Sequence, residues 1–181
     1  MKLEYNLNEN DFLQHQLYTA SKTERIKMQR RKSWLFVTLT FFILSLLFLK
    51  KDEKVTFYSF LIIGFITLIF YPFYLRNHYR IHYQKFVKDT YKNRFGKNAK
   101  IEFLESEFLT NDSNSETKLK YSAFEEFNEI ENYFFLKLKT GGSLIIPKLK
   151  VENLEELKIE LSNIAEKHNV KQNIELNWKW K

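Results

Sequence analysis

The chain has no cysteine, only four glycines and only two prolines in 181 residues. Without thiols it makes no disulfide, no thiolate nucleophile and no cysteine-based zinc or iron–sulfur site. Four glycines leave little material for a phosphate-cradling loop or a Gly-x-Ser-x-Gly elbow, and no His-Glu-x-x-His helix is present. The same scarcity excludes a fibrous chain and long flexible linkers. The length suits one modest domain of about 100–200 residues with extra segments, so a multidomain enzyme is not expected. A mean hydropathy of −0.42 suggests a soluble chain, but the average conceals an uneven distribution.

Two apolar runs stand out. Ser33 to Leu49 is 17 residues without a charge, 12 of them Leu, Ile, Val or Phe, and Val55 to Leu75 is 21 residues with 13 of that set. At about 1.5 Å rise per residue these make helices of roughly 25 and 32 Å, against a hydrocarbon core of about 30 Å. Each run gains roughly −4 to −8 kcal/mol on insertion before its polar residues are counted. Burying two such helices on all faces in water would take a larger protein than this one. About thirty mostly polar residues precede Trp34, which does not match a cleaved signal peptide. The five-residue connection Lys50 to Lys54 predicts an antiparallel hairpin.

Basic residues set the expected orientation. Lys22, Arg25, Lys27, Arg30, Arg31 and Lys32 precede the first run and Arg76, Arg80, Lys85 and Lys88 follow the second, ten in all against three in the connection. The positive-inside rule then places both termini in the cytoplasm. Neither run contains Asp, Glu, Lys, Arg or His, the groups that mark ion paths and proton relays, so the hairpin reads as an anchor. Thr38, Thr40, Ser45, Thr56, Ser59 and Thr67 are expected to bond back to their own helices. Gly64 has no small residue four positions away, and Pro72 is expected to produce a slight kink, its freed carbonyl finding water.

From Arg76 to Lys97 the chain carries seven basic residues and one acid, interleaved with Tyr79, Tyr83, Phe86 and Tyr91, which predicts a basic helix at a membrane surface. Its position beside a bilayer accounts for the charge without nucleic acid. Arg30, Arg31, Lys32, Arg76, Arg80 and Lys85 are the expected contacts to membrane lipid. From Asn98 onward, 12 basic and 15 acidic residues reverse the balance, so the positive surplus belongs to the borders of the apolar runs.

The pattern there becomes strand-like. Ile101 and Phe103, Phe108 and Leu109, and Leu119 and Tyr121 mark short strands around the turn-like stretch Asn111 to Ser115. Phe134, Leu136 and Leu138 alternate with Phe135, Lys137 and Lys139. Thr140-Gly141-Gly142-Ser143 then leads to Leu144-Ile145-Ile146, a hairpin ended by Pro147. Asn153 and Glu156 form a capping box for a helix whose Leu154, Leu157, Leu161, Ile164 and Ala165 share one stripe. Leu3, Tyr5 and Leu7 alternate near the start and Ile174, Leu176, Trp178 and Trp180 near the end. One or both segments are expected to join the sheet, with a membrane-interface anchor through Trp178 and Trp180 as the alternative for the tail. Asn8 and Asp11 can cap a helix bearing Phe12, Leu13, Leu17 and Ala20. The chain thus divides into a strand and amphipathic helix (1–33), a hairpin (34–75, with spans 34–49 and 55–75), a basic helix (76–97) and a β-rich domain (98–181).

This layout resembles the YcxB-like family of bacterial membrane proteins. The residues that carry the likeness are Tyr121-Ser122-Ala123-Phe124-Glu125-Glu126-Phe127-Asn128-Glu129-Ile130-Glu131, then Tyr133-Phe134-Phe135-Leu136, then Ile145-Ile146-Pro147-Lys148. The resemblance implies an α+β protein of the inner (plasma) membrane: a two-helix transmembrane hairpin with a cytoplasmic antiparallel, pleckstrin-homology-like domain closed by a C-terminal helix. It brings no catalytic residues. Where the family has basic and aromatic residues after the proline–lysine step, this chain has Leu149-Lys150-Val151.

Three chemistries compete with plain structure. A phosphoinositide site would need a basic loop where the chain has Glu105-Ser106-Glu107, whose carboxylates repel phosphate. His78 and His82 have the four-residue spacing of zinc ligands but no third ligand in register. Glu125, Glu126, Glu129 and Glu131 cluster with no His or Lys identifiable to tune them, as on a solvated edge. No catalytic, cofactor or metal residue is therefore assigned. The expectation is a non-enzymatic membrane-anchored interaction or regulatory module that binds a protein partner or itself. An accessory subunit of a membrane enzyme or transporter, and an immunity or stress-response membrane protein, are the alternatives.

Overall fold

The structure is a computed structural model and describes residues 1–49, 53–112 and 115–181. The connection predicted over Lys50 to Lys54 and the turn within Asn111 to Ser115 lie partly outside these residues. In chain order the elements are β1 (Lys2–Asn6), α1 (Glu9–Lys22), α2 (Glu24–Phe48), α3 (Lys54–Tyr91), β2 (Asn98–Phe103), β3 (Glu107–Asp112), β4 (Ser115–Lys120), β5 (Phe124–Ile130), β6 (Tyr133–Leu138), β7 (Ser143–Pro147), α4 (Leu154–His168) and β8 (Lys171–Glu175). They form two compact units, one of Met1–His15 with Val87–Lys179 and the other of Gln16–Phe86 with Trp180–Lys181. In sequence, the second unit lies between β1 and β2 except for Trp180 and Lys181.

The first unit holds two four-stranded sheets, ordered β1-β2-β3-β4 and β7-β6-β5-β8. The N-terminal strand joins the first by antiparallel pairing, Leu3 opposite Ile101. The expectation of a purely antiparallel domain is corrected in the second sheet, where β8 runs parallel to β5, Phe127 opposite Gln172. The crossover through α4 accounts for this, since a strand that returns after a helix can align with its neighbour. Leu3, Tyr5, Ile101, Phe103 and Phe108 meet Phe124, Phe127, Phe134, Leu136 and Ile146 in one core, closed by Leu157, Leu161, Ile164 and Ala165 of α4. Gly141 supplies the positive φ of 92° that the β6–β7 turn requires. The Asn153 side chain accepts the Glu156 N–H at 3.2 Å, but Glu156 reaches the Asn153 side-chain amide at 2.9 Å instead of its backbone.

The second sheet is buried on both faces. Phe135, on the opposite face from Phe134, is 1 % exposed and meets the His15 ring of α1 edge-on at 5.2 Å. Phe12 of α1 stacks on Tyr91 at 4.7 Å. Burial lowers the His15 pKa from 6.5 to about 4, so this imidazole stays neutral where an unfolded one gains a proton. Stability is therefore full above about pH 6.5 and falls as the pH drops toward about 4. The expected loss is about 2–3 kcal/mol between pH 7 and pH 4.5. Thermal unfolding of wild type and His15→Gln in mild detergent across this range should show a flatter profile for the variant, and parallel profiles would contradict it.

In the second unit, α2 and α3 are long and apolar enough to cross a membrane. Their large side chains point outward, with Phe36 73 %, Val55 81 % and Phe73 64 % exposed, so neither is buried as a core helix. Thr23, in an extended conformation, separates α1 from α2. Thr40, Ser45, Ser59 and Thr67 bond back to carbonyls of their own helices. Thr38 departs from that expectation: its hydroxyl is buried without a hydrogen-bond partner among the described residues. Gly64 has a packing partner after all, because a Cβ there would lie 3.1 Å from the Phe42 ring.

Pro72 lies within α3. Lacking an N–H, it leaves the Leu68 carbonyl without its intrahelical donor. That carbonyl does not have to find water: the Trp34 indole N–H of α2 donates to it at 3.2 Å, and Ser33 and Tyr71 hydroxyls bond 3.1 Å apart one turn away. Trp34→Phe is expected to cost about 1 kcal/mol in the wild-type background and less in a Pro72→Ala background, where the restored N–H fills the carbonyl. A double-mutant cycle of unfolding free energies in detergent measures this coupling, and additive effects would contradict it.

Candidate functional site

Two regions gather the polar chemistry of the chain. The first is the basic stretch bordering the apolar helices, where Arg31, Lys32, Arg76, Arg80 and Lys85 are exposed and able to hold anionic groups. Arg30 is half-buried and otherwise engaged. Its guanidinium lies 4.7 Å from the Trp180 ring and 5.7 Å from the Tyr79 ring, and its Nη2 donates to the Lys181 carbonyl at 2.6 Å. The Trp180 indole N–H donates to the Arg76 carbonyl at 3.0 Å, and Tyr83 meets the indole edge-on. The tail joins the sheet only in part. Lys171–Glu175 is a strand, the Trp178 N–H bonds back to the Glu175 carbonyl in a turn, and Trp180 is a buried plug.

His78 and His82 are exposed on α3 among aromatic rings, His78 stacked on Tyr74 and His82 edge-on to Tyr83. Among the described residues no group of three or more His, Cys, Asp or Glu is placed to hold a metal ion.

The second region lies in the β-rich unit. Asn8 and Asp11 cap α1 reciprocally: the Asp11 N–H donates to Asn8 Oδ1 at 3.1 Å and the Asn8 N–H to Asp11 Oδ2 at 2.8 Å. Asp11 is 3 % exposed and its Oδ1 also accepts the Tyr133 hydroxyl at 2.9 Å. Lys150 approaches Oδ2 at 3.5 Å while donating to the Asn6 carbonyl at 2.6 Å. Burial first, then the Asp11 carboxylate, pushes the Tyr133 and Tyr5 phenols above the usual tyrosine range. Both stay neutral, and Tyr133 serves as a donor, which suits a structural network more than proton transfer.

The acidic cluster acquires the partners that sequence reading did not find. Lys137 pairs with Glu125 at 2.9 Å and Glu126 at 3.4 Å. Lys148 pairs with Glu129 at 2.6 Å, its side chain only 9 % exposed, and sits 4.8 Å from the Phe134 ring centroid. The alternation in β6 and the end of β7 are the only sequence signals that point toward these cross-strand cations. An open groove of about 600 Å³ is lined by Lys2, Glu4, Lys100, Glu102 and Glu156. Lys2–Glu102 and Lys100–Glu4 are already paired there across β1 and β2. A smaller apolar groove of about 290 Å³ runs between α4 and β8 over Phe127, Phe134 and Leu161.

A family model described as YcxB-like protein matches residues 103–158, from the end of β2 to the first turns of α4. All three sequence segments that carried the resemblance fall inside this match. No curated protein and no solved structure matches the chain.

Proposed function

We propose that this chain, YcxB-like over its central strands, is a membrane-anchored, non-enzymatic interaction module. In this reading α2 and α3 cross the plasma membrane as a hairpin with both termini cytoplasmic, and the β-rich unit is a pleckstrin-homology-like domain. The observation that carries the reading is the outward display of Phe, Leu, Ile and Val along both helices, a surface that only lipid tails solvate well. The exposed Arg31, Lys32, Arg76, Arg80 and Lys85 would contact anionic headgroups at about 1 kcal/mol each. Arg30 serves instead to seat Trp180. Glu125, Glu126 and Glu129 are held in ion pairs with Lys137 and Lys148, which favours a structural or binding role for these carboxylates over proton transfer. Membranes from cells expressing the chain, washed with alkaline carbonate and then urea, should retain it in the pellet and release it only to detergent. Release by either wash would overturn the anchor.

A further inference from the structure

The β-rich unit has four sheet edges, and they are not equivalent. The residues Ser143 to Ile145 of β7 line one groove with Tyr5, Ala99 and Ile101, so this edge is turned toward the first sheet. β1 ends at Asn6, whose carbonyl is held by Lys150. β4 carries Glu116, Lys118 and Lys120, charges of the kind that guard an edge against pairing. β8, the fourth edge, pairs with β5 on one side, among the described residues no strand lies on the other, and apolar side chains flank it. Beside that edge Ile174 is 65 % exposed and Ile159 of α4 is 61 % exposed.

The sequence of β8, Lys171-Gln172-Asn173-Ile174-Glu175, is antisymmetric in charge about Asn173. We propose that two copies of the chain pair through β8, antiparallel about a two-fold axis at Asn173, joining their second sheets into one. In this register each Lys171 lies opposite the other copy's Glu175, and each Gln172 opposite Ile174. A parallel in-register pairing would set lysine against lysine and glutamate against glutamate, so the charges select one direction. Side-chain parity also fits. Gln172 and Ile174 share the α4 face, as the pairing of Phe127 with Gln172 and Glu129 with Ile174 requires, so the Ile174 and Ile159 side chains of both copies fall on one face of the joined sheet. Such an interface is isologous and closed, which stops at a dimer. The inference rests on the reading of this unit as an interaction module and does not need the membrane reading.

The absence of cysteine allows a clean test. Opposed residues in an antiparallel pair have Cα atoms about 4.5–5.5 Å apart, within disulfide reach, whereas diagonal ones lie at roughly 7–8 Å. Full-length Gln172→Cys and Ile174→Cys chains, differently tagged and mixed in mild detergent under oxidation, should give at least tenfold more disulfide dimer than either variant alone. Charge provides a second test in a cysteine-free background. Lys171→Glu alone and Glu175→Lys alone should each lose self-association, and a mixture of the two should regain it as a mixed dimer, because every opposed pair is then complementary. Equal trapping in all mixtures, or charge variants that associate like wild type while folded by circular dichroism, would overturn the pairing. A dimer seen by light scattering that neither cysteine traps would overturn it too, while leaving the interaction-module reading intact. Trapping of a different protein at position 172 would refute self-pairing and support that broader reading.

Discussion

Replacing Asp11 with alanine is expected to lower the stability of the β-rich unit by about 3 kcal/mol, which for a unit of this size is roughly 10–20 °C in melting temperature. The size follows from what one buried carboxylate holds. It accepts the Asn8 N–H that opens α1, accepts the Tyr133 hydroxyl of β6, and faces Lys150, whose Nζ also holds Asn6 of β1. Removing it strands the buried Tyr133 hydroxyl, uncaps the part-buried Asn8 N–H and takes a charge partner from Lys150, so the penalty is largely the desolvation of groups left behind. Asp11→Asn keeps the size and one good acceptor and should lose about half as much. Tyr133→Phe removes the bond to Asp11 and a long one from Asn10 at 3.5 Å, and should cost about 1 kcal/mol. Differential scanning fluorimetry of the three variants in one detergent checks the order, and a loss below 1 kcal/mol for Asp11→Ala would contradict the network.

Trp180→Ala is expected to release the end of the chain from α2 and α3. Trp180 is 7 % exposed, seated on Arg30 and bonded to the Arg76 carbonyl. Truncating a buried tryptophan of this kind costs about 3 kcal/mol. Because the residue stands at the end of the chain, the loss appears as local opening more than as global unfolding. Trimming of the chain end by carboxypeptidase should accelerate by roughly 100-fold, the factor that about 3 kcal/mol implies, with little change in the hydrogen exchange of β5 and β6. Arg30→Lys should give part of the same effect, since an ammonium keeps the charge but loses the flat stack and the fork that reaches the Lys181 carbonyl. Unchanged trimming in both variants would remove the clamp.

What could be read from the sequence followed the range of the interactions involved. The Gly-Gly turn before Pro147, the Asn153 cap and the apolar stripe of α4 are local signals, and the structure places each where the pattern put it. The two apolar runs are legible because composition alone defines them. Phe135 looked like an apolar residue on a solvated face; its burial depends on His15, 120 residues earlier, and no period within β6 reveals that. The alternation in the tail was real only as far as Glu175. Beyond it the strand stops, and Trp180 stacks on Arg30 and bonds to the Arg76 carbonyl. The partners of Glu125, Glu126 and Glu129 are lysines on neighbouring strands, which become visible once the register is known. Likewise the Leu68 carbonyl freed by Pro72 was foreseeable, but its donor on the other helix was not.

The proposed anchoring holds that the two apolar helices cross a membrane and that their basic borders lie on one side of it. Because the native chain has no cysteine, single cysteines report this directly. Glu53→Cys, just before α3, and Lys118→Cys, in β4, are placed in otherwise native protein in spheroplasts and exposed to a membrane-impermeant maleimide. The account predicts that the first is labelled at once and the second only after permeabilisation. Labelling of Lys118→Cys in sealed spheroplasts, or equal labelling of both, would contradict it.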